Sequence, residues 1–323
     1  VNRLQLLPVI SVIIPAYNAR RWLPETLRSV AAQDGVEMEI VVVDDGSKDD
    51  TAEYVLREWP QVRLIRTENR GVSHARNTGT EAARGELIQY LDADDLLLPG
   101  KMRRHEDLLR QHPEADVVYA AWQRLQEKVT GEFVPAEEVR HSIEDVHADP
   151  EIAFFSGFWC PTGAYMFRRQ MVEKILPWKE WLPVVQDARF AWDAAAAGAR
   201  WLRDPEISVL YRQHLSGSVS TRNRRAFQQD CLANMNDIRR HWEKEGTLVG
   251  DRKKCLLNGY ETLAAAFYQT DPKVFREVHR SLLEVEPAWQ PSSASLRVLS
   301  RFLGYENAQR VSCCWRRIKA VIG

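Results

Sequence analysis

Acidic side chains collect at two points of this chain in a way that asks for a counter-charge. Asp92, Asp94 and Asp95 stand almost side by side in YLDADDLLLPG, and Asp44 and Asp45 stand together in IVVVDDGS. Both groups close an apolar run. Carboxylates crowded together repel a further anion by several kcal/mol unless a cation lies between them. Oxygen donors of this kind suit hard Mg2+ or Mn2+, which proteins hold through one or two carboxylates plus the phosphates of a substrate. Blander roles compete: Asp44, Asp45 and Ser47 have the chemistry of a turn and a helix cap, and Asp95 can cap the segment that leads to Pro99.

The elements that must carry these acids are legible from periodicity. VISVIIP at 9–15 and EIVVVDDGS at 39–47 are short β-branched runs of the kind buried on both faces of a sheet. Between them Trp22, Leu23, Leu27 and Val30 recur at helical spacing, and DDTAEYVLREW repeats the helix after the second strand, opened by an N-capping Asp. VRLIRT, GVSHARNTGTEAARG and ELIQYLDADD continue the alternation, which predicts an α/β fold with a parallel sheet covered on both faces. Further on, a helix is expected from Pro99 to about His112 and a strand in DVVYAAW, followed by a long loop over 126–150. A strand in GAYMFRR, a helix in DARFAWDAAAAGA closed by Gly198, and a strand in EISVLYRQH complete the sheet. From about 222 onward only helical periodicity remains, which reads as a helical appendage. In an open parallel sheet, ligands bind beyond the carboxyl ends of the strands. PAYN, DDGS and DADD all fall there.

Composition narrows the class. With 323 residues, 45% hydrophobic and a net charge of -1, the chain can bury a large core and lacks the basic excess that nucleic-acid binding draws on. Its five cysteines are odd in number and contain no C-x-x-C pair, which predicts free thiols in a reducing compartment. No apolar stretch reaches the 18 to 20 or so residues of a membrane span, and the N-terminal VNRLQLLP is not expected to be a signal peptide. A cytoplasmic protein is expected.

SVIIPAYNARRWLPETLRSV, IVVVDDGSKDDT, NRGVSHARNTGTEAARGELIQYLDADD, QDARFAW and YRQHLSGSVS occur in the order seen in family 2 glycosyltransferases, and over residues 9–221 the chain resembles that family. The resemblance implies a Rossmann-like GT-A domain over 1–221, with a nucleotide-sugar half at 1–121 and an acceptor half at 122–221, before a helical extension at 222–323. It implies an inverting, metal-dependent transfer of one sugar from a nucleoside-diphosphate sugar to a glycan, lipid-linked or small-molecule hydroxyl. By position, Asp44 matches the acid that meets the nucleotide base, and Pro15, Ala16 and Tyr17 the loop along it. Asp92 and Ala93 belong to the D-x-D triplet beside ribose or metal-bound water, and Asp94 is its metal ligand. Asp187 matches the catalytic base, and His214 a further metal or diphosphate contact. Read from the residues alone, Arg76 and Asn77 in HARN are candidates either for contacting the nucleotide or for covering a helix. The cofactor implied is Mn2+ or Mg2+, and the setting is surface-polysaccharide biosynthesis.

Two departures from the family pattern stand out. Gln186 precedes the base where relatives often carry Glu, and Asp193 stands where they often carry Arg. The chain also lacks Q-x-x-R-W, which favours a distributive enzyme over a processive one. Other functions stay open from the residues alone. A sugar-nucleotide nucleotidyltransferase would also hold Mg2+ on paired carboxylates, yet it needs phosphate-cradling glycines after the first strand, where this chain has PAYNARR. A non-catalytic nucleotide-sugar binding module is the other alternative, against which the presence of both metal acids and Asp187 speaks. Trp159, Trp178 and Trp181 flank the acceptor side and serve equally as packing residues or sugar-stacking rings. The terminal RVSCCWRRIKAVIG has the composition of a helix lying at a membrane surface, though a solvated final helix is the commoner explanation of such a stretch.

Overall fold

The computed structural model describes residues 9–216 and 223–322, with side chains to residue 312 except that of Gln269. The terminal Cys313, Cys314, Trp315 and the basic residues after them, together with the polar turn at 217–222, lie outside the described side chains. The chain divides into two compact units, Val1–Arg222 and Asn223–Gly323.

The first unit opens with β1 (Ile10–Ala16), α1 (Leu23–Ala31), β2 (Met38–Asp44), α2 (Thr51–Glu58), β3 (Arg63–Arg66), α3 (Val72–Ala82) and β4 (Leu87–Tyr90). Strands β3, β2, β1 and β4 pair in that order, all parallel, as the alternation predicts. Every residue of β1 and β4 is buried, which is why these strands are apolar throughout instead of alternating. The register sets Ala16 beside Asp44 and Ile13 beside Tyr90, so the acids that follow β2 and β4 emerge at one rim. Helix α3 lies so close on the sheet that a Cβ at Gly79 would stand 2.5 Å from Ile13 Cγ2. The N-cap of α2 is Asp50, whose side chain makes no capping bond; just before it, the Asp49 carboxylate accepts from the Thr51 amide at 3.1 Å.

After Asp95 the sheet becomes mixed. A two-residue β5 (Leu96–Leu97) and α4 (Lys101–Gln111) lead to β6 (Val117–Glu127), β7 (Phe133–Val139), α5 (Ile143–Val146) and α6 (Pro150–Phe155). A 3-10 turn at Thr162–Ala164 enters β8 (Tyr165–Arg168), followed by α7 (Arg169–Ile175), α8 (Gln186–Ala196) and β9 (Trp201–Gln213). The strand order is β3-β2-β1-β4-β8-β6-β9-β5, with β7 on β6. β8 runs antiparallel between β4 and β6, and β9 is parallel to β6. The expected loop over 126–150 is corrected: it contains edge strand β7 and the one-turn α5, whose Ser142 and Asp145 form a reciprocal capping box. Beyond the sheet, the pairing of Leu96 with Leu210 ties the segment after the acids directly to the end of β9.

The second unit is helical: α9 (Arg224–Lys244), α10 (Gly250–Thr270), α11 (Pro272–Val285) and α12 (Ala294–Ile322). Asn223 caps α9 through the Ala226 amide, and Asp271 caps α11 through that of Val274. Tyr260, Phe267, Phe275, Val278 and Leu282 form its buried face, and α12 breaks at Gly304, where φ is 74°. No helix among the described residues is long and apolar enough to cross a membrane.

Candidate active site

The acids at the rim are not equivalent. Asp45 is buried and spends both oxygens on backbone, accepting from the Arg70 amide at 3.0 Å and from that of Gly71 at 2.8 Å, so it shapes the loop before α3. Asp44 takes the Ser47 amide on Oδ1 at 3.1 Å, closing the turn. Its Oδ2 is buried with no hydrogen bond, 3.5 Å from Arg66 Nε. Asp95 does not cap the next helix, whose N-cap is Gly100. It is fully buried, accepts the Arg212 amide at 3.0 Å, and is pushed well above the usual carboxyl range by burial and then by the Asp94 and Asp92 charges. Through that bond Asp95 pins β9 to the acidic loop.

That pin decides where the rest of β9 goes. Arg212, buried, donates through Nη1 to the Asp94 carbonyl at 2.7 Å and through Nη2 to Glu25. His214, two residues on, then meets Asp94: Nε2 lies 2.9 Å from Oδ2, with Glu127 3.7 Å from the other ring nitrogen. The two residues are 120 positions apart in the chain. Among the described residues no cluster of three or more ligating side chains occurs. A carboxylate and an imidazole are nonetheless a fitting donor pair for Mn2+ or Mg2+ whose remaining positions come from a diphosphate and water.

Asp92 turns the other way, toward Arg76 Nη2 at 2.5 Å. Arg76 is 1% exposed, lies 4.4 Å above the Trp178 ring, and leaves Nε and Nη1 without hydrogen bonds. The same guanidinium lowers the pKa of Asp187. Asn77 clamps the peptide of Trp178, accepting its N–H at 2.7 Å and donating to its C=O at 3.1 Å. His74 Nδ1 lies 3.2 Å from Glu180 in the same loop.

Asp187 sits in the first turn of α8, half-buried, on a small apolar cavity shared with Tyr90, Tyr165, Phe167 and Trp178. Its Oδ2 accepts Trp159 Nε1–H at 2.8 Å, and its Oδ1 the Ala188 amide at 2.8 Å. Burial raises its pKa; the Trp159 bond, Arg76 and the Ala188 amide oppose that rise, and Asp92 adds to it. Gln186 beside it is buried with Oε1 unpartnered, and Asp193 is neutralised by Arg189 at 2.7 Å and Lys179 at 3.4 Å. The unexpected acid on α8 is therefore compensated locally.

Of the residues singled out in the sequence, Asp92, Asp94 and His214 come together at the rim, and Arg76 links Asp92 electrostatically to Asp187. Pro15 and Ala16 are buried inside β1, and Ala16 accepts the Asp45 amide through its carbonyl at 2.8 Å. Tyr17 stands 46% exposed at the strand end, beside Asn18 in a left-handed conformation that is bonded to Ser47 and Lys48. Ala93 offers its carbonyl to Thr26 at 2.8 Å. Sequence reasoning missed the bond of Trp159 to Asp187 and the place of Tyr211, whose phenol is held protonated by burial and by the charges of Asp95, Asp92, Asp187 and Asp94. No local signal marks either one. Cys160, Cys231 and Cys255 are free thiols.

Comparison with known proteins follows the same lines. A Mycobacterium tuberculosis protein, MT1568, described as uncharacterized, is 49% identical over 108 residues, which are 31% of this chain and 33% of that protein. The succinoglycan biosynthesis protein ExoO of Rhizobium meliloti is 43% identical over 99 residues, 30% of this chain and 28% of that one. The chain spans about a third or less of the length of these two relatives. In structure it is similar to S. aureus TarS 1-349 (TM-score 0.62, 19% identity, covering 95% of this chain and 91% of that one). It is also similar to the mannosyltransferase PcManGT of Pyrobaculum calidifontis in complex with GDP-Man and Mn2+ (TM-score 0.55, 21% identity, covering 97% and 88%). Both show the same fold, mixed and mostly parallel with a helical C-terminal region. The model of glycosyl transferase family 2 matches residues 11–176, just over half of the 323, and the chain belongs to that family.

Proposed function

We propose that the protein is an inverting glycosyltransferase that moves one sugar from a nucleoside-diphosphate sugar to a hydroxyl acceptor. The observation that carries this reading is the meeting of Asp94 and His214 at 2.9 Å on a rim where Arg76 also pairs with Asp92. A cation-binding pair and a partly desolvated carboxylate are what in-line displacement needs at the leaving group and at the nucleophile.

On the donor side, the orphaned Oδ2 of Asp44 has the acceptor capacity that a base N–H would fill, and Tyr17, exposed just after Ala16 on the neighbouring strand, supplies a ring. Asp94 and His214 would hold Mn2+ or Mg2+ together with the donor's diphosphate. A bound divalent ion supplies charge stabilisation for the departing nucleoside diphosphate in place of a proton donor. Arg76 keeps Asp92 compensated, so the rim tolerates the anionic donor. On the acceptor side, Asp187 takes the proton from the hydroxyl as its oxygen bonds to the anomeric carbon. The bond from that carbon to the phosphate oxygen breaks, and its electron pair leaves with the nucleoside diphosphate. General-base help of this kind is worth about 10²–10⁴-fold.

Because Asp187 works as the ionised form and burial raises its pKa, activity falls as pH drops through that raised value and is retained above it. Asp187→Asn tests the assignment: transfer should fall by about 10²-fold or more with donor binding intact, and turnover near the wild-type rate removes Asp187 as base. The likeness to ExoO over part of the chain supports a place in surface-polysaccharide synthesis. A cytoplasmic site of action and a glycan or lipid-linked acceptor belong to the same reading.

A further inference from the structure

We infer that Trp159 is a positioning residue for the catalytic base: its indole N–H, aimed by two rings on the central strands, fixes the carboxylate of Asp187 in the orientation that receives the acceptor's proton. This rests on the reading of Asp187 as the base.

Asp187 has two hydrogen bonds, and they differ in what they can fix. The Ala188 amide belongs to α8 and travels with it. Trp159 supplies, among the described residues, the hydrogen bond to this carboxylate that comes from outside α8. It lies in the connection between α6 and the 3-10 turn, and two neighbours hold its ring edge-on. Trp122 of β6 lies 5.3 Å away at 88°, and Tyr211 of β9 lies 5.4 Å away at 76°. Those two rings in turn pack on each other at 5.7 Å and 85°. β6 and β9 are adjacent parallel strands of the sheet, so the direction of the N–H is set by the sheet itself. One lone pair of Oδ2 is occupied and the carboxylate plane is fixed, which leaves the remaining lone pairs presented in one direction.

Such anchoring matters because a misplacement of about 1 Å costs on the order of 10²-fold in rate. The bond also favours the ionised form. Four titratable groups face Asp187 from the surrounding elements: Arg76 on α3 lowers its pKa, Asp92 at the end of β4 raises it, and Tyr165 and Tyr211 are phenols driven upward by burial. Removing the indole N–H leaves burial less opposed.

The test replaces Trp159 with benzothienylalanine in the full chain, which keeps the ring outline and deletes the N–H, with Trp159→Phe beside it. The expected result is a fall in kcat of about 10- to 100-fold, unchanged donor affinity, and an acidic limb of the pH profile moved up by about one unit. In the intact protein, the indole 1H–15N resonance that the replacement deletes should titrate with Asp187 and stop titrating in Asp187→Asn. Wild-type kcat and pH limb in the benzothienylalanine protein, or an indole resonance indifferent to pH, overturns the inference. Asp187→Asn run in parallel separates the two claims. If it is inactive while the Trp159 replacement is normal, only the positioning role fails; if it is active, the base reading fails.

Discussion

Arg76 is the residue whose removal the site should tolerate least in the absence of any ligand. Its side chain is 2% exposed, its partner Asp92 is 32% exposed, and they meet at 2.5 Å. Arg76→Met keeps the length and apolar stem while deleting the charge. Breaking a fully buried pair from one side costs about 3–5 kcal/mol. Asp92 keeps a third of its surface in water, so part of its charge is rehydrated and the loss falls to about 2–3 kcal/mol. The cation over Trp178 at 4.4 Å is lost as well, though the methionine sulfur replaces some of that contact. At about 2–4 °C per kcal/mol for a unit of this size, the melting temperature should drop by about 5–10 °C. Calorimetric unfolding of the single variant and of Arg76→Met/Asp92→Asn makes the assay a cycle. Neutralising Asp92 should recover at least half of the loss, with a coupling of about 1–3 kcal/mol. A single variant within about 0.5 kcal/mol of wild type, or an Asp92→Asn change that adds to the loss instead of offsetting it, refutes the reasoning, since the pair would then be solvated in effect.

Two further outcomes follow from buried groups away from the rim. His105 is fully buried, and desolvation first, then the Lys101 charge, lower its pKa to about 3. Its unfolded value is near 6.5, so its contribution is whole above that pH and is lost as pH falls toward 3. Between pH 7.5 and 5 this one group should cost about 2 kcal/mol. Urea midpoints at the two pH values should converge in His105→Gln, and an unchanged gap contradicts the assignment; Asp204, lowered to about 2, titrates below this window. A Cβ at Gly85 would stand 2.6 Å from the Ser11 nitrogen and 2.7 Å from the Ile10 carbonyl carbon, both backbone. Gly85→Ala should therefore cost about 1–3 kcal/mol by the same urea assay, whereas a neutral result would mean that the 83–86 turn can shift away from β1.

The parallel half of the sheet and the acidic rim were legible because β-branched runs, turn residues and acids lie next to one another in the chain. Asp92 and Asp94 follow β4 directly, so placing the strand places them. The mixed half was less legible. Strand β7 was read as loop because Pro135 and the acids Glu137 and Glu138 obscure its pattern, and an edge strand is where a sheet tolerates both. β5 is two residues long, too short for periodicity, yet its pairing with Leu210 is what delivers His214 to Asp94. The bond between Trp159 and Asp187 depends on the course of two loops across 28 residues, and nothing in the local sequence sets one of eleven tryptophans apart. Asp95 is ambiguous by type, and burial resolves it: fully enclosed, it accepts the Arg212 amide and pins β9.

The central claim is that Asp94 and His214 bind a divalent cation shared with the diphosphate of a sugar donor. Calorimetric titration of UDP-, GDP- and dTDP-sugars into the protein, with Mn2+ and with EDTA, tests it most directly. The account predicts one donor class whose binding heat requires the ion and disappears in Asp94→Ala. Equal binding in EDTA, or undiminished ion-dependent heat in Asp94→Ala, would contradict it.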